Sequence, residues 1–489
     1  MSLQQALLGR YASLESDVPN AGGVADSLEV GQVVDEDGAQ LDGENLVEND
    51  ILEAAEESDV VDEGSDDVEE LIETSDALES FLAAAQAASK QGGWTTQEAA
   101  AYDLGLNVVI GRIGGTSRDV MPSLESFNSS RERINATASV ENRITDTLKK
   151  IWEAIKRAVN KVIAFVRKWY LKIADGASRL KKRAEAIRKK AENTTGTAKE
   201  KKIRTSTLQY LHKGKSMPAP ADLVATLKLV TESTTALTAS RVTAGYSDAV
   251  DNIVKALTDV ADGEGTLTDS KAQDAVSLIR GAAVFSIDLP IAKNKGSSDD
   301  ISRVSMTASS QNNNVELFQS AELPGGRKIS HLVITSSKGD VASGQYGRNV
   351  ASSMRVAGKV VVSDYSNKKV EIDSSKEVAI LEPSQVVSIA DQVIDFCQVV
   401  VDYKLDYDKY EKHNSAAMGK ADATLRKANN QSDDAAGRAR GEFVRGLAQG
   451  LGSVIRNRNT SVSELISYGM TLSRNSLIFG VQSLAKYKD

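Results

Sequence analysis

Four short stretches of the chain have the residue types and spacing of a protease substrate. They read Ser13-Leu14-Glu15-Ser16, Ser27-Leu28-Glu29, Ala77-Leu78-Glu79-Ser80-Phe81 and Ser123-Leu124-Glu125-Ser126-Phe127. A small residue, a spacer and a Glu, followed by Ser in an exposed linker, is backbone that a protease can engage. The peptide bonds after Glu15, Glu29, Glu79 and Glu125 are therefore candidate cleavage sites, with Ser80 and Ser126 as new termini. Ser, Leu and Glu are common residues, so the first two matches also have a chance reading. The last two share a five-residue context.

Residues that would perform chemistry are harder to find. His212, His331 and His413 are far apart, and none has a partner at ligand spacing. The one cysteine, Cys397, excludes a disulfide framework and a Cys-rich zinc site. It lies near the apolar face of a helical segment, where a buried inert thiol is expected. No nucleophile elbow, phosphate loop or zinc-protease motif is present. Gly446, Gly450 and Gly452 lack the lysine that completes a phosphate loop. Asp262–Thr268 resembles the middle of a calcium loop, but the alignment puts Val260 and Lys271 at positions that need carboxylates. The expectation is a protein that is not an enzyme and has no metal or cofactor.

Charge organises the chain. Residues 1–125 hold 28 Asp+Glu and 4 Lys+Arg, a net of −24. The chain totals are 68 and 59, which leaves 40 acidic and 55 basic residues, a net of +15, over 126–489. Such asymmetry points to a nucleic-acid or membrane contact on one side and an acidic segment on the other. Residues 17–76 are too charged to bury a core and read as disordered. Residues 78–113 read as two short helices joined at Gly92-Gly93, with Thr95-Thr96-Gln97-Glu98 as a capped start. Met1–Asp17 lacks the pattern of a secretory signal, and no apolar run approaches the roughly 20 residues that span a bilayer. A soluble protein is expected.

The strongest periodic signal runs from 144 to 173. Ile144, Leu148, Ile151, Ile155, Val159, Val162, Val166, Trp169 and Ile173 recur every three or four residues, which is one face of an α-helix. The other face carries Lys149, Lys150, Lys156, Arg157, Lys161, Arg167, Lys168 and Lys172, and the basic character continues through Lys181, Lys182, Arg183, Arg188, Lys189 and Lys190. Residues 143–204 hold 20 basic and 6 acidic residues. Three readings stand side by side. The basic face could be merely solvated. It could contact phosphates, giving salt-sensitive affinity without sequence preference. It could lie on a membrane, with Trp152, Phe165 and Trp169 at the interface. No base-reading motif is present.

Residues 205–280 read as helical. Alternation and turn signals over 282–375, around Pro324-Gly325-Gly326 and Ser366-Asn367, predict a small antiparallel sheet. Val386, Ile389, Val393, Phe396, Val400, Tyr403, Tyr407 and Tyr410 form a heptad seam on one long helix opened by Pro383. An intrachain helical hairpin and a coiled-coil dimer both fit it, and 440–486 supplies one or two partner helices. The expected fold is mainly α with a small antiparallel β insert (α+β) behind a disordered acidic leader. The expected regions are 1–125, an acidic propeptide; 126–280, basic and helical; 281–380, β; and 381–489, a long-helix hairpin or bundle.

Taken together the chain resembles the internal head proteins of giant tailed bacteriophages, the phiKZ-like group. The resemblance rests on the leader ending Met121-Pro122-Ser123-Leu124-Glu125-Ser126-Phe127 and on Asp146–Lys156. It rests also on Val400-Val401-Asp402-Tyr403-Lys404 and on Ser483-Leu484-Ala485-Lys486-Tyr487. It implies a precursor packed into the prohead in the bacterial host cytoplasm. A prohead protease then cuts after a Glu two residues beyond a small residue. The mature part stays inside the capsid of the virion with packaged DNA and other inner-capsid proteins, and can be ejected on infection. Carried onto this chain, Glu125 is the final site, with Glu79, Glu15 and Glu29 earlier ones. Ser139-Val140-Glu141 and Ser375-Lys376-Glu377 also fit the pattern, so folding must hide them if they stay intact. Two other roles remain: a membrane-active ejection protein using 144–173 against the host membrane, and an assembly scaffold or core protein.

Overall fold

A computed structural model of the chain describes residues 68, 70–263, 287–297, 315–334, 354, 358–366, 372–373, 376–403, 407–430 and 435–487. These fall into two compact units, 68–161 and 162–487. The boundary expected at 125/126 lies inside the first.

In the first unit, helix α1 spans 70–90 and α2 spans Thr96–Arg112. The turn between them uses Gly92 and Gly93 at φ +98° and +82°, a region that disfavours side chains. Thr95 and Glu98 close a full capping box at the start of α2, as the sequence predicts. Residues 70–76, expected to be disordered, belong to α1. Leu71 and Ile72 are buried there, so the local charge does not prevent helix formation once those two side chains find a core. Two short 3-10 turns, Ser117–Asp119 and Leu124–Phe127, lead into α3, Ser130–Asn193. This helix has 64 residues and begins well before the periodic signal. Ser129 and Glu132 cap it: Glu132 N–H donates to Ser129 Oγ at 3.3 Å, and Ser129 Oγ donates to Glu132 at 2.6 Å.

The second unit starts with the C-terminal part of α3. Strand β1 (Lys202–Arg204), α4 (Leu208–Leu211), α5 (Pro220–Thr238) and α6 (Ser240–Asp262) follow. Strands β2 (Asn294–Lys295), β3 (Val315–Gln319), β4 (Arg327–Ile334) and β5 (Val360–Asp364) form an antiparallel sheet in that order. Val284–Ser286 lie outside the described residues, and Ile287–Leu289 are not strand, so the first expected strand is absent at its described end. The β3–β4 turn puts Gly325 and Gly326 at φ +81° and +63°, and both N–H groups donate to the His212 carbonyl. The sheet edge at β5 is capped by the last helix: Val360 N–H donates to Ser461 Oγ at 2.8 Å, and Val362 N–H donates to Glu464. That contact satisfies polar backbone which an open edge would leave unpaired. Strand β6 (Glu377–Ala379) pairs separately with β1.

The heptad seam is split. Helix α7 runs Pro383–Asp402 and α8 runs Tyr407–Asn430, with Tyr403 closing the first rather than continuing it. Among the described helices, α7 alone is long and apolar enough to cross a membrane by length and composition. Its seam residues Val386, Ile389, Val393, Phe396 and Val400 are fully buried, and it packs on α5 and on α9, Ala435–Leu484. Intrachain packing therefore satisfies the seam. Residues 440–484 are one continuous stretch of α9, which also packs on α6, α8 and β5. The fold is mainly α with small antiparallel strands.

Candidate cleavage segment and basic surface

The segment around Glu125 is a turn held at both ends. Val120 is fully buried ahead of it and Phe127 behind it. Ser123, Leu124 and Glu125 between them are exposed. Ser123 Oγ accepts from Glu125 N–H at 3.4 Å, and Ser126 N–H donates to the Ser123 carbonyl at 2.9 Å. The Phe127 carbonyl accepts from Thr96 Oγ1 at 3.2 Å and from Arg133 Nε at 3.1 Å. Opening the turn breaks a few hydrogen bonds, each worth about 1 kcal/mol net.

Glu79 has a different setting. It lies inside α1, 5 % exposed, beside the fully buried Leu78, and Ser80 continues the same helix. The exposed-linker condition fails there, because a helix buried on that side presents no extended backbone. Glu141 lies inside helix α3 and accepts from Ser89 Oγ, whereas Glu377 is exposed on β6 with its backbone paired to β1, and Ser375 lies outside the described residues. Glu15 and Glu29 lie outside the described residues.

Helix α3 displays the basic side chains. Its apolar face is spent inside the protein: Ile144, Leu148, Ile151, Ile155 and Val159 in the first unit, and Val162, Val166, Trp169 and Ile173 in the second, are each 4 % exposed or less. Lys149, Lys150 and Arg157 are exposed, with Lys156, Lys161 and Lys172 half-buried. The side chains of Phe165, Arg167 and Lys168 lie outside the described set. Further along, Lys182, Arg188, Lys189 and Lys190 are exposed, and Lys181 and Arg183 half-buried. Some charges are internally paired: Lys149 with Asp146 at 3.2 Å, Lys156 with Glu153 at 2.7 Å, and Arg188 with Asp391 at 3.0 Å. Lys181 donates to Gln398 at 2.6 Å. Lys150, Lys182, Lys189 and Lys190 have no carboxylate partner among the described residues.

The other titratable candidates are structural. His212 contacts the Gly214 carbonyl at 2.9 Å beneath the β3–β4 turn, and His413 pairs with Asp251 at 2.9 Å on the surface. His331 is buried in β4, which pushes it down to about 4. Burial of Cys397 pushes its thiol up to about 12, with Lys181 pulling weakly the other way. Among the described residues no group of three or more His, Cys, Asp or Glu is placed to hold a metal.

Sequence reading missed the residues that fasten the turn. Trp94 N–H donates to Thr137 Oγ1 at 3.0 Å in a buried contact, and Gly93 lies against the Arg133 backbone so closely that a Cβ would approach within 2.6 Å. The Ser129–Glu132 capping pair was the legible signal that α3 begins early enough to meet them.

The described residues form a mainly helical protein with a cationic helix face, and the N-terminal part of the sequence is strongly acidic. Residues 47–477 match the family of phiKZ-like phage internal head proteins, and the chain belongs to that family. No curated protein and no solved structure matches it. Membership places it in the interior of the phage capsid as a structural protein.

Proposed function

We propose that this chain is packaged with the genome as a precursor, cut after Glu125 by the prohead protease, and left with its basic surface against DNA. The observation that carries the reading is the split of α3: every apolar residue of the periodic face is buried, while Lys150, Lys182, Lys189 and Lys190 are exposed without a carboxylate partner among the described residues. Such a surface releases counterions from any duplex, so affinity falls with salt and ignores sequence. The acidic leader competes for the same surface over about 8 Å at physiological salt, so masking needs close contact. Partners in this reading are packaged DNA, the protease and other inner-capsid proteins, and the mature chain is free to leave with the genome on infection.

The test is the N-terminus of the protein extracted from purified particles, read by mass spectrometry of semi-specific peptides. A start at Ser126 is expected. A chain still continuous across Glu125–Ser126, with Met1 or Ser2 as its first residue and no Ser126 terminus, would refute the maturation step and make the acidic segment permanent.

A further inference from the structure

We propose that cleavage after Glu125 nicks the first unit without releasing what precedes it. Residues 68–125 then remain on the mature protein as a noncovalently held subunit. This rests on the cleavage reading above. Water adds across the Glu125–Ser126 bond, leaving a carboxylate on Glu125 and an amine on Ser126, and no side chain that joins the two pieces is altered.

Those side chains are numerous. Ahead of the cut, Leu71, Leu78, Trp94, Leu106, Ile110 and Val120 are 2 % exposed or less. Behind it, Phe127, Val140, Ile144 and Ile151 are fully buried in the same unit. Polar bonds cross the cut as well. Trp94 N–H reaches Thr137 at 3.0 Å, Thr96 Oγ1 reaches the Phe127 carbonyl at 3.2 Å, and Ser89 donates to Glu141. Trp94 is itself fixed by stacking on Tyr102 at 4.4 Å between ring centroids. Gly93, at φ +82°, brings the α1–α2 turn onto the backbone of α3, an approach that a Cβ would block. A segment with this many buried side chains, hydrogen-bonded across the cut and pinned at its turn, does not leave when one exposed peptide bond is broken.

The charge distribution makes this consequential. Residues 1–67 hold 19 acidic residues and one basic, a net of −18, whereas 68–125 hold nine and three, a net of −6. Cuts at Glu15 and Glu29 remove little, because 30–67 carry 15 acidic residues and no basic one. A nick at Glu125 with the subunit in place therefore leaves the precursor's charge of −9 unchanged. Shedding the bulk of the acidic charge requires a further cut between residue 30 and the docked subunit, or unfolding of that subunit, and Glu79 stays inside its helix while the subunit is folded.

The test inserts a site-specific protease sequence between Glu125 and Ser126 of the full chain, cuts it, and follows the pieces by size exclusion and native mass spectrometry. Co-elution of both pieces in a one-to-one complex, separating only in denaturant, is the expected result. An N-terminal piece that elutes alone under native conditions overturns the proposal. A second readout needs no insertion: peptides from 68–125 should be present in mature particles in proportion to those from 126–489, and their absence beside a Ser126 terminus would also overturn it. The lack of a Ser126 terminus in the virion would refute the maturation reading while leaving the result on the nicked chain intact.

Discussion

Replacing Lys182, Lys189 and Lys190 with Gln should weaken DNA binding by an amount that can be worked out in advance. All three are exposed and lack carboxylate partners among the described residues, while Ala184, Ile187 and Ala191 on the opposite side of α3 are buried. The change therefore removes charge without disturbing packing. Each phosphate neutralised contributes about 0.9 to the slope of log affinity against log salt, so three lysines account for about 2.7. Between about 50 and 200 mM salt, the wild type should lose about 40-fold more affinity than the triple variant. The assay is fluorescence anisotropy on duplexes of two unrelated sequences. It uses residues 68–489, which keep both compact units and drop the −18 segment. A triple variant that binds with an unchanged slope would show that this end of α3 does not meet phosphate. A preference between the two duplexes would refute the nonspecific mode altogether.

Other expectations follow from burial. Phe127→Ala should lower the stability of the first unit by about 3–5 kcal/mol in denaturant unfolding, because the ring is fully buried, and it should speed cleavage after Glu125. His331 titrates near 4 in the fold against 6.5 when exposed, so between those values the unfolded chain holds a proton that the folded chain does not. Stability is then complete above about 6.5 and falls by roughly 3 kcal/mol as the pH drops toward 4. His331→Gln should flatten that part of the urea-midpoint profile between pH 7.5 and 4.5, and an equal drop in the variant would discard this account. Cys397 should react with thiol reagents only after unfolding, since burial holds it protonated; rapid labelling of the native protein would contradict its placement.

Periodicity made the 144–173 face and the α7 seam legible, because both are buried on one side only. It failed at the ends. α3 begins at Ser130, where Ala136, Thr137 and Val140 are buried: small or polar residues that a hydrophobicity scan passes over. The seam spacing runs on to Tyr410, although Tyr403 closes α7 and Tyr410 belongs to α8; both are buried, so the apolar spacing persists across a break that hydrophobicity does not register. The cleavage motif was legible as a string, but its accessibility was not. Glu79 and Glu125 share five-residue contexts, yet one lies inside a packed helix and the other on an exposed turn. That difference follows from the packing of α1, where Leu71, Ile72 and Leu78 are buried, and neither five-residue string contains it.

The same burial bears on the membrane. An interfacial helix gains its free energy by moving apolar side chains from water to lipid, but those of the periodic face over 144–173 are already out of water. Lipid tails are no more apolar than a protein core, so the transfer returns nothing for Val162, Val166, Trp169 or Ile173 and first requires unpacking them. Among the described large hydrophobic residues of that stretch, Leu171 alone is well exposed, at 58 %. What remains is attraction between lysines and anionic headgroups, about 1 kcal/mol per charge near the surface. The full chain should therefore stay in the supernatant with neutral vesicles, and any sedimentation with anionic vesicles should reverse in salt. Salt-resistant sedimentation with neutral vesicles would mean that α3 had left its core, and the cationic face would then have to be reassigned from DNA to lipid.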